Sequence, residues 1–116
     1  MRSGTIHLSP SQKSVSFPIV ERICRKMRLG VKTRSIQVAE GSIIVDGHHR
    51  YLASLLEGVE LDMVDCPLSS AKDFTYWGLV ELVDEDWDTP YTIDKLNRQD
   101  AKFSGMTIER LMELIG

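Results

Sequence analysis

Apolar residues recur along the first third of this chain at the spacing of a helix face. Five of them lie three or four residues apart, or next to each other: Ile19, Val20, Ile23, Cys24 and Met27. This period is typical of an amphipathic helix with one buried side. We therefore predict a helix over residues 17–29, with Ser16 as its N-cap and Gly30 as its stop signal.

Alternation of apolar and polar residues predicts strands on either side of this helix. Thr5–Leu8 alternates before it. Residues 35–39 alternate after it, and the β-branched run 42–45 follows a turn at Glu40-Gly41, which together predict a β-hairpin. Residues 59–64 alternate again and predict a further strand.

A second helix begins directly where the hairpin ends. Leu52, Leu55 and Leu56 fit its inward face, and Gly58 ends it. Strand, helix, hairpin, helix and strand in this order predict an α/β (α+β) fold, with a small mixed β-sheet and flanking helices. The length of 116 residues fits one domain over residues 1–116.

The remaining third of the chain has a weaker pattern. Residues 70–83 fit a helix, or a strand over residues 76–83. A loop follows at Asp84–Pro90, then a short helix over Ile93–Arg98 and a final helix over Thr107–Ile115.

The formal net charge of −3 conceals two oppositely charged segments. Between Lys13 and Arg34 there are seven basic residues and one acid, Glu21. Between Glu57 and Asp94 there are eleven acids and one base. The basic segment, including Lys32, is a candidate surface for phosphates, and a solvated helix face explains it equally well. The acidic segment argues against nucleic acid as a partner of this chain alone.

The turn Asp46-Gly47-His48-His49-Arg50 carries the strongest functional signal. It lies between a predicted strand and a predicted helix, and a helix N-terminus attracts anions through its free N–H groups and its dipole. Gly47 permits a sharp bend, and His48, His49 and Arg50 are candidate donors to phosphate oxygens. Asp46 is a candidate Mg²⁺ ligand or base, and also a candidate N-cap.

These residues and the element order of residues 5–68 resemble the ParB/sulfiredoxin superfamily. In that family, the turn before the second helix binds nucleotide phosphates, so the resemblance implies a ligand such as ATP, ADP or CTP with Mg²⁺. The form Asp46-Gly47-His48-His49-Arg50 is most similar to the serine-kinase-like and uncharacterised branches. Residues 69–116 are then a C-terminal extension.

The chain departs from the family at several positions. Sulfiredoxins carry a nucleophilic cysteine where this chain has His48, so reductase activity is not expected. The ParB arginine-rich signature and its DNA-binding domain have no counterpart. Asp46 and His49 are the catalytic candidates, and Glu21 is a weaker candidate for the glutamate of the kinases.

Two classes of function fit the sequence. The first is a nucleotide- or phosphate-binding domain, with phosphotransferase or NTP hydrolase activity as one form and a nuclease as a less favoured one. The second is a non-catalytic acidic protein of the immunity or antitoxin type. Such a protein neutralises a basic partner through the acidic segment and its aromatic residues Trp77, Trp87 and Tyr91.

The expected compartment is the cytoplasm. No apolar run approaches the length of a membrane span, and the first residues lack a signal-peptide pattern. Cys24 and Cys66 have no metal-ligand spacing, and we expect both to be buried, free and non-catalytic thiols.

Overall fold

A computed structural model describes residues 8–40, 42–67 and 75–116 of the chain, and it has an α+β fold. Its elements follow one another in this order: β1 Ser14–Ser16, α1 Phe17–Arg28, β2 Ile36–Ala39, β3 Ile43–Asp46, α2 His48–Glu57, β4 Met63–Asp65, a 3₁₀ turn Trp77–Leu79, β5 Glu81–Val83, α3 Pro90–Phe103 and α4 Ile108–Ile115. No helix within the described residues is long and apolar enough to span a bilayer.

The larger sheet has three strands in the order β3-β2-β4 and confirms the predicted mixed sheet. β2 pairs antiparallel with β3 and parallel with β4. The predicted hairpin is confirmed, and its turn includes Glu40 at a φ of 52°. The predicted strand Thr5–Leu8 lies outside the described residues except for Leu8, after which Ser9 forms a single parallel bridge to Ile43.

Two apolar clusters hold this sheet against α1 and α2. One cluster joins the sheet to α2 and to the start of the described chain through Leu8, Ile36, Val38, Ile44 and Tyr51. The other joins the two helices through Val20, Ile23, Cys24, Met27 and Ala53. The helical face predicted for residues 17–29 is therefore the face that α1 buries, and burial of apolar area is the main source of its stability.

A second sheet pairs β1 with β5. β5 lies within the strand that residues 76–83 gave as one alternative, whereas β1 and its pairing with β5 were not predicted. Ser14–Ser16 pairs in parallel with Glu81–Val83. β4 is also shorter than the predicted strand over residues 59–64. Its ladder with β2 begins only at Met63, opposite Ile36, whereas the Val59 N–H donates to the Ser54 carbonyl at the end of α2.

The C-terminal helices form a hairpin beside α1. The prediction of a short helix over Ile93–Arg98 was wrong in its bounds, because α3 runs from Pro90 to Phe103. Thr89 caps α3 by accepting a hydrogen bond from the Thr92 N–H. Val31, Ala101 and Leu111 form the apolar contact of the hairpin with the rest of the chain.

Candidate functional site

Gly47 makes the turn between β3 and α2 possible. Its φ of 106° lies in the left-handed region, and it serves as the N-cap of α2. A Cβ atom on Gly47 would lie 2.5 Å from Ile36 Cγ2 and 2.9 Å from Arg50 Nη2. Because Gly47 has no side chain, the N-cap residue of α2 offers no side-chain acceptor to the first N–H groups of the helix.

Arg50 lies over this turn and is largely buried. Its side chain is 12% exposed, and its Nη2 lies 3.2 Å from Asp46 Oδ2 and 3.3 Å from the Ser35 carbonyl. Its Nε is buried and has no hydrogen-bond partner within the described residues. Burial lowers the Arg50 pKa from its usual value, and the nearby positive charge of Arg34 lowers it further. Arg50 thus places a buried guanidinium with one unsatisfied donor beside the turn.

Asp46 is not an N-cap, because Gly47 holds that position. Its side chain is 58% exposed, and Arg50 is its ion-pair partner. The predicted role of Asp46 as an N-cap was therefore wrong, whereas its role as a metal ligand or a base stays a prediction.

The two histidines hold the chain that enters α1. His48 Nε2 accepts a hydrogen bond from the Ser11 N–H, and His49 Nε2 accepts one from the Ser16 N–H, both at 2.9 Å. Burial lowers the pKa of His48 to about 4. Burial also lowers the pKa of His49, with Asp88 opposing the shift. Both imidazoles are neutral at pH 7, so they do not supply the positive charge that their position in the sequence indicated.

Ser16 was predicted to be the N-cap of α1, and only its position agrees with that prediction. It occupies the N-cap position of α1, but its side chain does not cap the helix. Its hydroxyl instead donates to the Glu85 carbonyl at 2.7 Å, which fastens the acidic loop 84–89 to the start of α1.

These elements surround an open cleft of about 350 Å³. It is lined by residues of α1, the turn, α3 and the acidic loop, and of the segments before β1 and β2: Gln12, Ile19, Ile23, Arg34, Asp46, Gly47, His48, His49, Arg50, Trp87, Asp88 and Leu96. A narrower cavity of about 50 Å³ shares with the cleft three apolar residues, Ile19, Ile23 and Leu96, and three charged ones, Arg34, Arg50 and Asp88. It extends to Lys26, Thr33 and Asp100.

The cations of α1 that border these cavities are already paired with acids of the C-terminal third. Arg22 makes hydrogen bonds of 2.6 and 2.8 Å to the two carboxylate oxygens of Asp86, and one of 3.2 Å to Asp88. Lys26 Nζ lies 2.6 Å from Asp100 Oδ2. The hydrogen bond from Arg22 lowers the pKa of Asp86 to about 2. The basic and acidic segments of the sequence therefore partly neutralise each other.

Arg34 is different from these paired cations. It is exposed, lines both cavities, and has no ion pair within the part of the chain that the structure describes. From the sequence, Arg34 was only one of the seven basic residues between Lys13 and Arg34. Nothing in the sequence indicated that Arg34 and the turn at residues 46–50 would line the same cleft.

Two predicted site residues lie away from the cleft. Lys32 lines a separate cavity between the end of α1 and the segment before β4. Glu21 is an exposed residue of α1 that borders neither the cleft nor the narrower cavity. Asp46, Gly47, His48, His49 and Arg50 do come together there.

The described residues contain no group of three or more His, Cys, Asp or Glu side chains that could hold a metal ion. A Mg²⁺ ion at Asp46 would have to complete its shell with water and ligand oxygens, as Mg²⁺ commonly does with phosphates.

No protein-family model, no curated protein and no solved structure matches this chain. The resemblance to the ParB/sulfiredoxin superfamily therefore stays a prediction from the sequence.

Proposed function

We propose that this chain binds a phosphate-bearing ligand, such as a nucleotide, in the cleft between α1, α2 and the acidic loop. One observation carries the proposal. Arg34, without an ion pair in the described part of the chain, lines the same cleft as the buried Arg50 and the uncapped N-terminus of α2.

These three features suit the same chemistry. A helix N-terminus offers N–H groups and a partial positive charge to an anion. Arginine donates in a planar fork that matches two phosphate oxygens. A cleft of about 350 Å³ lies within the usual range for small-molecule sites.

Asp46 is the residue that could give the cleft a catalytic activity in addition to binding. It is exposed at the cleft, does not cap α2 and is paired with Arg50 through Oδ2, so its carboxylate is placed where it could bind Mg²⁺ or activate a hydroxyl or a water. His49 is the weaker catalytic candidate, because its Nε2 is already bonded to the Ser16 N–H. The proposed ligands for turnover are ATP, ADP or CTP with Mg²⁺, as in phosphotransferases and NTP hydrolases.

The experiment is a binding titration of inorganic tripolyphosphate, ATP, ADP and CTP, each with and without Mg²⁺, against the parent and two variants. Arg34→Ala should weaken binding by about 1.5–3 kcal/mol, the usual worth of a hydrogen bond to a charged group. Arg98→Ala is the matched control, since Arg98 pairs with Asp94 on the exposed side of α3 and borders neither cavity. Equal affinities in all three proteins, or no binding by the parent, would reject the proposal.

Asp46→Asn then separates binding from turnover. It removes the carboxylate but keeps a side chain of the same size. We expect phosphate affinity to change little and any ATP or CTP turnover to fall.

An acidic protein that neutralises a basic partner has less support. Asp86 and Asp88 are engaged with Arg22. The Trp77 indole N–H donates to the Leu8 carbonyl, and its ring stacks on Tyr51. The acidic segment thus offers fewer free charges and anchors than its sequence indicated.

A further inference from the structure

Trp87 is the aromatic residue of the acidic loop that lines the phosphate cleft. It is 42% exposed, and its ring meets the His49 ring nearly at a right angle, with 5.5 Å between the centroids. An edge contact of this kind leaves much of the indole surface uncovered, and that surface belongs to the same cleft as Arg34 and Arg50.

The loop that carries Trp87 is held on both sides of the indole. Asp86 receives two hydrogen bonds from Arg22 and one of 3.0 Å from the Asp88 N–H. The carbonyl of the preceding residue, Glu85, accepts from the Ser16 hydroxyl. The indole is therefore positioned before any ligand arrives, which reduces the ordering cost of binding.

We infer that Trp87 is a stacking surface for a planar ring, so that the ligand of the proposed phosphate site is a nucleotide rather than a bare polyphosphate or a sugar phosphate. The inference rests on the proposed function. Stacking on an aromatic side chain accepts any base, because every base has a π-face. Arg34 and Arg50 would then bind the phosphates of the nucleotide, and the Trp87 indole would stack on its base.

The position of Trp87 favours a small ligand over a protein partner. The indole borders a concave cleft of small-molecule size, rather than a convex surface. Tyr91, four residues further on, shows the contrast, since it is 77% exposed and lies outside the cleft. Tyr91 therefore serves as the matched aromatic control.

The test compares ATP and CTP with inorganic tripolyphosphate and ribose 5-phosphate. Tripolyphosphate keeps the phosphate chain without the nucleoside, and ribose 5-phosphate keeps a sugar and a phosphate without the base. We expect the parent to bind ATP or CTP about tenfold or more tightly than tripolyphosphate, which is the lower range of a base–aromatic stack.

Trp87→Ala should abolish this margin while leaving tripolyphosphate affinity unchanged, and Tyr91→Ala should preserve it. Trp87→Phe keeps a ring and should retain part of the margin, so it tests the inference even if Trp87→Ala unfolds. Quenching of tryptophan fluorescence by the nucleotide, lost in Trp87→Phe, is the independent readout.

Each contrary result has a distinct meaning. Tripolyphosphate binding as tight as that of the nucleotides would reject stacking and leave the phosphate site standing. An equal loss of tripolyphosphate and nucleotide affinity in Trp87→Ala would make Trp87 a support for the loop and overturn the inference. Absence of binding by all four probes would overturn the proposed function together with the inference.

Discussion

The Nε2 atom of His48 accepts a hydrogen bond from the Ser11 backbone N–H across 37 positions of sequence. The His49 imidazole does the same for the Ser16 N–H. Two neighbouring side chains at the start of α2 thus fasten both ends of the segment that leads into α1. Each bond needs an unprotonated Nε2, so the fastening depends on pH.

The first prediction is a loss of stability in mild acid. The pKa of His48 falls from 6.5 to about 4 on folding, so the unfolded chain binds more protons between these values. Stability is then fully present above pH 6.5 and decreases as the pH falls toward 4. The full effect is about 3 kcal/mol, at about 1.4 kcal/mol for each pKa unit. Urea denaturation at a series of pH values from 7.5 to 4 measures it.

The control is His48→Gln, whose amide oxygen accepts a hydrogen bond without titrating. We expect this variant to lose the His48 part of the pH dependence between 6.5 and 4, and the part that remains belongs to His49, whose pKa burial also lowers. Asp86 titrates in a lower window, since its pKa falls from 3.8 to about 2 on folding, and its contribution is lost only as the pH drops toward 2. An unchanged slope above pH 4 in His48→Gln would contradict the assignment.

The second prediction concerns the backbone at Gly47. Gly47→Ala should destabilise the fold by about 2–4 kcal/mol, which combines left-handed strain with steric overlap against Ile36 and Arg50. Gly58→Ala is the matched control, because Gly58 also has a positive φ, of 67°, but a Cβ there meets nothing within 4 Å. It should cost only about 1–2 kcal/mol.

Chemical denaturation of both variants separates strain from overlap. If Gly58→Ala cost as much as Gly47→Ala, the close approach of Ile36 and Arg50 would contribute nothing, and only the backbone conformation would require glycine at the turn.

The part of the fold that the sequence predicts is the part with local periodicity. The face of α1, the hairpin and the turn at Gly47 each follow from residues that are neighbours in sequence. The pairing of β1 with β5 has no such signal, because Ser14 and Glu81 come together from distant positions through strands of three residues. α3 extends beyond its predicted C-terminal end, where it buries Asp100, a charged residue that an apolar pattern does not register.

The same distinction applies to the candidate site. The sequence identifies the turn, since the glycine and the arginine are adjacent to a strand and a helix. It does not identify what the histidines do, because their partners, Ser11 and Ser16, lie on another segment. From the sequence, a histidine at a helix N-terminus is a candidate cation. Only the tertiary structure shows that these two side chains accept hydrogen bonds from backbone N–H groups.

The third prediction concerns the two thiols. Both cysteines are free in the structure, as predicted. Cys24 is buried, as predicted, but the prediction that Cys66 is buried was wrong, because Cys66 is partly exposed after the end of β4. Burial raises the pKa of the Cys24 thiol, and the charge of Glu57 raises it further. Because the thiolate is the reactive form, Cys24 should react slowly with a thiol reagent and Cys66 faster. Cys66→Ser should remove the fast phase, and a single rate for both thiols would contradict the prediction.

The fourth prediction concerns the ion pair that joins α1 to α3. Lys26 Nζ lies 2.6 Å from Asp100 Oδ2 and 3.2 Å from Asn97 Oδ1, and the side chains of Lys26 and Asp100 are each only 8% exposed. Lys26→Met keeps the apolar stem but removes the ion-pair partner of the buried Asp100 carboxylate. A buried pair broken on one side usually costs about 3–5 kcal/mol.

The double variant Lys26→Met/Asp100→Leu decides what the pair contributes. Removing both charges removes the uncompensated carboxylate, so we expect most of the lost stability to return. Arg98→Ala, which breaks the exposed pair with Asp94, should change the unfolding free energy by less than about 1 kcal/mol. If Lys26→Met were as mild as Arg98→Ala in urea denaturation, the pair would be energetically silent. The attachment of the C-terminal helices would then depend on other contacts, among them the apolar cluster of Val31, Ala101 and Leu111.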